Sequence, residues 1–92
     1  MPALSEEEVA RRLPSLVGWH REDGALRRTF ALSDFRAAIA FVNKVADEAE
    51  ALDHHPDIDI RYDHVTLTLV THDEGGLTES DFDLARRVDA LT

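Results

Sequence analysis

The longest periodic stretch in the chain sets the terms for the rest. Phe35, Ile39, Val42, Val45, Ala46, Ala49 and Leu52 recur at three- and four-residue spacing, which lays one apolar stripe along an α-helix. Ser33 stands at the N-cap position with Asp34 in the first turn, and a short polar side chain there satisfies free N–H groups of the helix start. Pro56 limits the other end, because a proline disfavours helical geometry at the preceding His55. The spacing therefore predicts one long helix from Ser33 to about Asp53. Ala37, Ala40, Phe41 and Lys44 add a second, weaker stripe. One sheet covers only one face of a helix, so this stripe predicts a helix–helix contact with another subunit. The competing explanation is the intrinsic helix preference of alanine.

The flanking segments read as two strand pairs and two short helices. Residues 5–13 form a predicted helix, with Ser5 and Glu8 as a capping box and Pro14 as its stop. Residues 16–21 and 25–32 form a predicted hairpin around Asp23-Gly24, a common tight-turn pair. Trp19, the single tryptophan, falls in its first arm as a core residue. Beyond Pro56, Ile58, Ile60 and Tyr62 share one strand parity, and Val65, Leu67 and Leu69 define the core side of a strand over 64–72. A turn near Asp63 makes the two antiparallel, and Tyr62 is expected to pack beneath the site. Gly75-Gly76 breaks the chain, and Thr78 with Asp81 caps a last helix. The order α-β-β-α-β-β-α predicts an α+β fold with a four-stranded antiparallel sheet and helices packed on one face, in one domain spanning 1–92.

Composition narrows the function classes. The formal net charge is −9, which disfavours binding to nucleic acid or to an anionic membrane surface, where Lys and Arg supply the affinity. The absence of cysteine excludes disulfides, thiolate nucleophiles and thiolate metal sites. No apolar run approaches the ~20 residues of a membrane span, and the acidic start lacks the features of a secretion signal, so the cytoplasm is the expected location. A chain of 92 residues buries only roughly 60–65% of its unfolded surface and is prone to associate.

The candidate chemistry gathers at the end of the long helix. Glu50 and His54 lie four apart and share a helix face, so Glu50 is placed to orient the His54 ring. His54, His55 and His72 lie near element ends, and imidazole exchanges protons near neutral pH. Asp81 stands in the first turn of the last helix. Three readings compete on spacing alone: surface histidines with a capping role, a general acid/base site, and a zinc site. Zinc fits worst, because the adjacent His54 and His55 point in different directions and no HExxH-type pair exists. His20 and His64 read as ordinary strand histidines.

The complete pattern is more specific than its parts. Glu50, His54-His55-Pro56, Tyr62, His72 and Asp81, at their exact intervals, resemble the signature of the pterin-4a-carbinolamine dehydratases. The resemblance extends through Gly18-Trp19, Arg28-Thr29-Phe30, Phe41-Val42-Asn43, Thr71-His72-Asp73 and Gly76-Leu77-Thr78. It implies dehydration of 4a-hydroxytetrahydrobiopterin, or a related pterin, to the quinonoid dihydropterin and water, a step that recycles the cofactor of aromatic amino-acid hydroxylases. It also implies a site without metal or cofactor, with His54, His55 and His72 as its three histidines. Substrate contacts map to His54, His55 and Pro56 and to Thr71, His72, Asp73 and Glu74, while Glu50 and Asp81 match the acidic positions. On this basis His54 and His72 move the protons, in an order left open, His55 positions the pterin, and Glu50 and Asp81 orient the rings. The resemblance further implies dimers joined through sheet edges and tetramers joined through helices, hence a homo-oligomer. Two alternatives accompany it: a non-catalytic dimerisation cofactor of a transcription factor, and a pterin-binding module of molybdopterin metabolism.

Overall fold

A computed structural model describes residues 2–92. Helix α1 spans Glu6–Arg12, and Ser5 and Glu8 close the expected capping box. Pro14 then tightens the chain into a 3₁₀ turn over Leu13–Ser15. The first hairpin arm is shorter than the sequence predicts. Strand β1 holds only His20–Glu22, because Gly18 turns the backbone to a φ of 94° just before it. Trp19 is buried as expected, but it lies in that turn, with Nε1 donating to Asp89 Oδ1 at 2.8 Å. Asp23 and Gly24 both adopt positive φ, as a two-residue hairpin turn of right-handed twist requires, and lead into β2, Ala25–Ala31.

Helix α2 spans Phe35–Leu52, one cap later than predicted: Asp34, not Ser33, is the N-cap and accepts from the Ala37 N–H. Strand β3, Asp57–Arg61, and β4, His64–Leu69, pair antiparallel, and the full sheet order is β1-β2-β4-β3. Strand β4 stops at Leu69 rather than running to His72. A bridge between Thr71 and Gly76 folds residues 72–75 into a loop whose His72–Glu74 segment is a 3₁₀ turn. Helix α3 spans Glu79–Asp89.

The helices lie on one face of the antiparallel sheet. Register sets Phe30 opposite Val65 and Leu26 opposite Leu69, so these apolar side chains share the helix-facing side. Phe82, Leu84 and Val88 of α3 and Ala38, Phe41, Val45 and Ala49 of α2 complete the core. The α2 stripe is therefore rolled relative to the predicted one. Phe41, assigned to the second stripe, is core, whereas Phe35 and Ala46 are exposed and Ile39 is only half-buried. Both stripes carry apolar residues, and packing against β4 and α3 decides between them. Tyr62 is also displaced from its expected place. It sits in the β3–β4 turn with a φ of 52° and is 69% exposed.

Candidate active site

Two local structures carry the histidines to one end of the sheet. At the end of α2, Asp53 takes the left-handed conformation. The Asp53 N–H donates to the Glu50 carbonyl at 3.2 Å and the His54 N–H to the Ala49 carbonyl at 3.0 Å, the pair of bonds that closes a Schellman-type helix end. His54 is thereby fixed just outside the helix. On the other side, register pairs Asp57 with Thr68. Antiparallel pairing brings the chain just before Asp57 and the chain just after Thr68 to the same end of the sheet. Asp53, His54, His55, Val70, Thr71, His72 and Asp73 consequently line one cavity of about 200 Å³.

The buried side of the site is a polar network. Asp81 is fully buried, as is Thr78. Asp81 Oδ2 accepts from the Thr78 backbone N–H at 2.9 Å and from Thr71 Oγ1 at 2.9 Å. Its Oδ1 stands 2.5 Å from Nε2 of His54, whose side chain is 14% exposed. Every buried side-chain polar atom among the described residues has a partner, which is the condition for a buried polar cluster to be tolerated. Asp81 thus serves twice, capping α3 and holding the His54 ring.

The remaining candidates fall into two groups. His55 and His72 are exposed on the cavity wall with Asp73. Glu50 pairs with His55, not with His54 as helical spacing predicts. The left-handed Asp53 ends the helix before His54, so the four-residue rule no longer applies and the five-residue pair meets instead. Glu50 remains 74% exposed at the side chain. Pro56 and Glu74 flank the cavity in sequence but are not among the residues that line it. Sequence reasoning missed Asp53 and Val70 as lining residues, and saw in Thr78 only a cap. The left-handed cap at Asp53 leaves a weak trace, since Asp tolerates that conformation better than most residues; Val70 leaves none. His20 and His64 sit on strands, paired with Glu22 and Asp63. Two larger cavities, of about 460 and 570 Å³, border the N-terminal half of α2 and contain no histidine among their lining residues. Among the described residues no group of three or more histidine and acidic side chains is arranged to hold a metal ion.

An antiparallel sheet with helices on one face, and a small cavity walled by three imidazoles with a buried carboxylate behind one of them, define an α+β protein with a histidine-lined site. The chain belongs to the pterin 4 alpha carbinolamine dehydratase family, whose sequence model matches residues 2–91. A protein of Acidobacterium capsulatum named "Putative pterin-4-alpha-carbinolamine dehydratase" is 55% identical over 99% of both chains. One of the same name from Chloroflexus aurantiacus is 56% identical over 99% of this chain and 98% of its own. A crystal structure from Brucella melitensis, described as a transcriptional coactivator/pterin dehydratase, superposes with a TM-score of 0.92 at 41% identity over 97% of each chain. A pterin dehydratase-like protein identified as a RuBisCO assembly factor in the alpha-carboxysome is more distant, at TM-score 0.65 and 28% identity over 79% of this chain and 84% of its own.

Proposed function

We propose that this chain dehydrates a pterin-4a-carbinolamine to the quinonoid dihydropterin by histidine general acid/base catalysis. The observation that supports the reading is the convergence of His54, His55 and His72 on one cavity, with His54 against the buried Asp81. Loss of the 4a-hydroxyl needs one proton delivered to the departing oxygen. Formation of the quinonoid ring needs one proton removed from the ring nitrogen. The C–O electron pair leaves with the oxygen and the N–H pair becomes the new C=N bond, so no electrons are gained or lost. One positioned acid and one positioned base suffice, and such groups contribute roughly 10²–10⁴-fold each.

His54 suits the role of base. A His54 ring that donates Nε2–H to Asp81 has Nδ1 left to accept a proton. His72, on the exposed wall, delivers the proton to the leaving hydroxyl, and His55 with Asp73 positions the pterin. The test is the steady-state dehydration rate of His54→Ala and His72→Ala with 4a-hydroxytetrahydrobiopterin. Each is expected to lower kcat by at least 10²-fold; wild-type rates in both would overturn the assignment. The Brucella neighbour's description as a transcriptional coactivator as well as a pterin dehydratase supports a second reading, a partner of another protein. Absence of turnover in wild-type protein that still forms a stable complex from cell extract would favour it.

A homo-oligomer belongs to the same proposal. Phe35 is 50% exposed, and Ile58 and Ile60 of the edge strand β3 are each 37% exposed. Phe35 and Ile39 also border the cavity of about 570 Å³. Exposed apolar side chains and an unpaired strand edge are suited to a second copy of the chain.

A further inference from the structure

We infer that Thr78 is a positioning residue for His54, acting through Thr71 and Asp81. The inference rests on the site proposed above. It concerns a residue that does not line the cavity and is fully buried behind it.

With Asp81 as the carboxylate, an acceptor only, donor counting sets the direction of every bond in the chain. Asp81 Oδ2 accepts from the Thr78 N–H, which can only donate. The same oxygen accepts the Thr71 hydroxyl proton. A hydroxyl has a single proton, so Thr71 has none left for its second contact. That contact is Thr78 Oγ1, 2.8 Å away, and Thr78 must therefore be its donor. The ordered sequence is Thr78 O–H to Thr71 Oγ1, Thr71 O–H to Asp81 Oδ2, and His54 Nε2–H to Asp81 Oδ1.

Thr78 thus reaches the Asp81 carboxylate twice, directly through its backbone N–H and indirectly through the Thr71 hydroxyl. Two donors on Oδ2 fix the plane of the carboxylate and leave Oδ1 for the histidine. The imidazole is held in one orientation and one tautomer, with its proton on Nε2. Removing the Thr78 hydroxyl leaves a buried lone pair of Thr71 without its donor. The Thr71 hydroxyl keeps Asp81 Oδ2 as its acceptor but loses the donor that polarises and braces it, so its hold on the carboxylate weakens. Orientation of a reacting ring by its neighbours requires that those neighbours be locked themselves.

The test reads the His54 ring directly. Nitrogen-15 chemical shifts of the imidazole in substrate-free protein should show the Nε2–H tautomer in the wild type and a mixture in Thr78→Val. Thr78→Ser, which keeps the hydroxyl and the cap, should restore the single tautomer. Thr71→Val breaks the same chain without touching the α3 cap and should reproduce the mixture, which keeps the test available if Thr78→Val fails to fold. In dehydration kinetics, Thr78→Val should lower kcat on the order of tenfold, a fraction of the ~10²–10⁴-fold a positioned acid/base supplies, with KM within about threefold. A single Nε2–H tautomer in both folded valine variants would overturn the inference. The tautomer measurement needs no substrate, so it stands or falls apart from the activity. A wild type without turnover would sink the proposed reaction and leave the positioning role to be decided by the spectra.

Discussion

Asp81→Asn isolates what the buried carboxylate contributes, because it changes one atom and almost no volume. Asp81 Oδ2 receives two donors, the Thr71 hydroxyl and the Thr78 N–H, each at 2.9 Å. Oδ1 receives one, His54 Nε2 at 2.5 Å. An asparagine has one oxygen and one NH₂ to place in those positions. With NH₂ at the Oδ2 position, two buried donors lose their acceptor, at about 1–3 kcal/mol each. With NH₂ at the Oδ1 position, only the histidine contact loses its acceptor. The second orientation wins by about 1–3 kcal/mol. The amide NH₂ then faces His54 Nε2, which must accept, and the ring proton moves to Nδ1. The variant folds, exchanging three charge-assisted hydrogen bonds of about 1.5–3 kcal/mol each for neutral ones of about 0.5–1.5. The net loss of about 3–5 kcal/mol corresponds to a Tm lowered by roughly 12–40 °C in a domain of this size. Catalysis should suffer as well, because the nitrogen proposed as base would now carry the proton. A loss of about 10²–10⁴ in kcat equals about 2.7–5.4 kcal/mol of barrier. Thermal melts and dehydration kinetics on the same preparation measure both. A folded Asp81→Asn protein within threefold of wild-type kcat would refute the role given to this carboxylate.

Three further outcomes follow from other parts of the molecule. Gly18→Ala should lower stability by more than about 1 kcal/mol, because φ is 94° and an added Cβ would lie 2.9 Å from the Arg28 guanidinium, which is itself tied to Asp89 at 2.9 Å; an unchanged melt would refute this. The Arg21 hydrogen bond and charge hold the Glu6 carboxyl below its usual value of 4.5. That pair therefore contributes stability above pH 4.5 that is lost as pH falls through the lowered value. Carbon-13 titration should show Glu6 returning to the ordinary range in Arg21→Ala, and an identical titration in both proteins would contradict it. Phe35→Glu, on the exposed stripe of α2, should lower the oligomeric state measured by light scattering at micromolar concentration, whereas a wild type that is already a monomer would dismiss the association.

Much of the architecture was legible because it rests on local rules. The Ser5–Glu8 capping box, the Asp23-Gly24 turn, the alternation of Val65, Leu67 and Leu69, and the stop before Pro56 each depend on neighbours within a few residues. The segments that departed from expectation are those where a distant contact had the deciding vote. Helix α2 has two apolar stripes, and Phe41 rather than Phe35 faces inward because β4 and α3 determine its roll. Glu50 meets His55 because a left-handed Asp53 cancels helical spacing one residue too soon.

The site divides along the same line. The sequence alone determined which side chains are present, their intervals, and through those intervals the family resemblance. It also determined that Thr78 and Asp81 would cap a helix, since a cap is a matter of three residues. Only the tertiary structure decided that the cap lies behind a histidine 27 residues away. The antiparallel register of β3 and β4 carries Val70, Thr71 and His72 to the end of α2. No periodicity records that meeting, because strand pairing joins residues far apart in sequence through burial and backbone hydrogen bonds. The same carboxylate is a local signal when viewed along the chain and the partner of His54 when viewed across it.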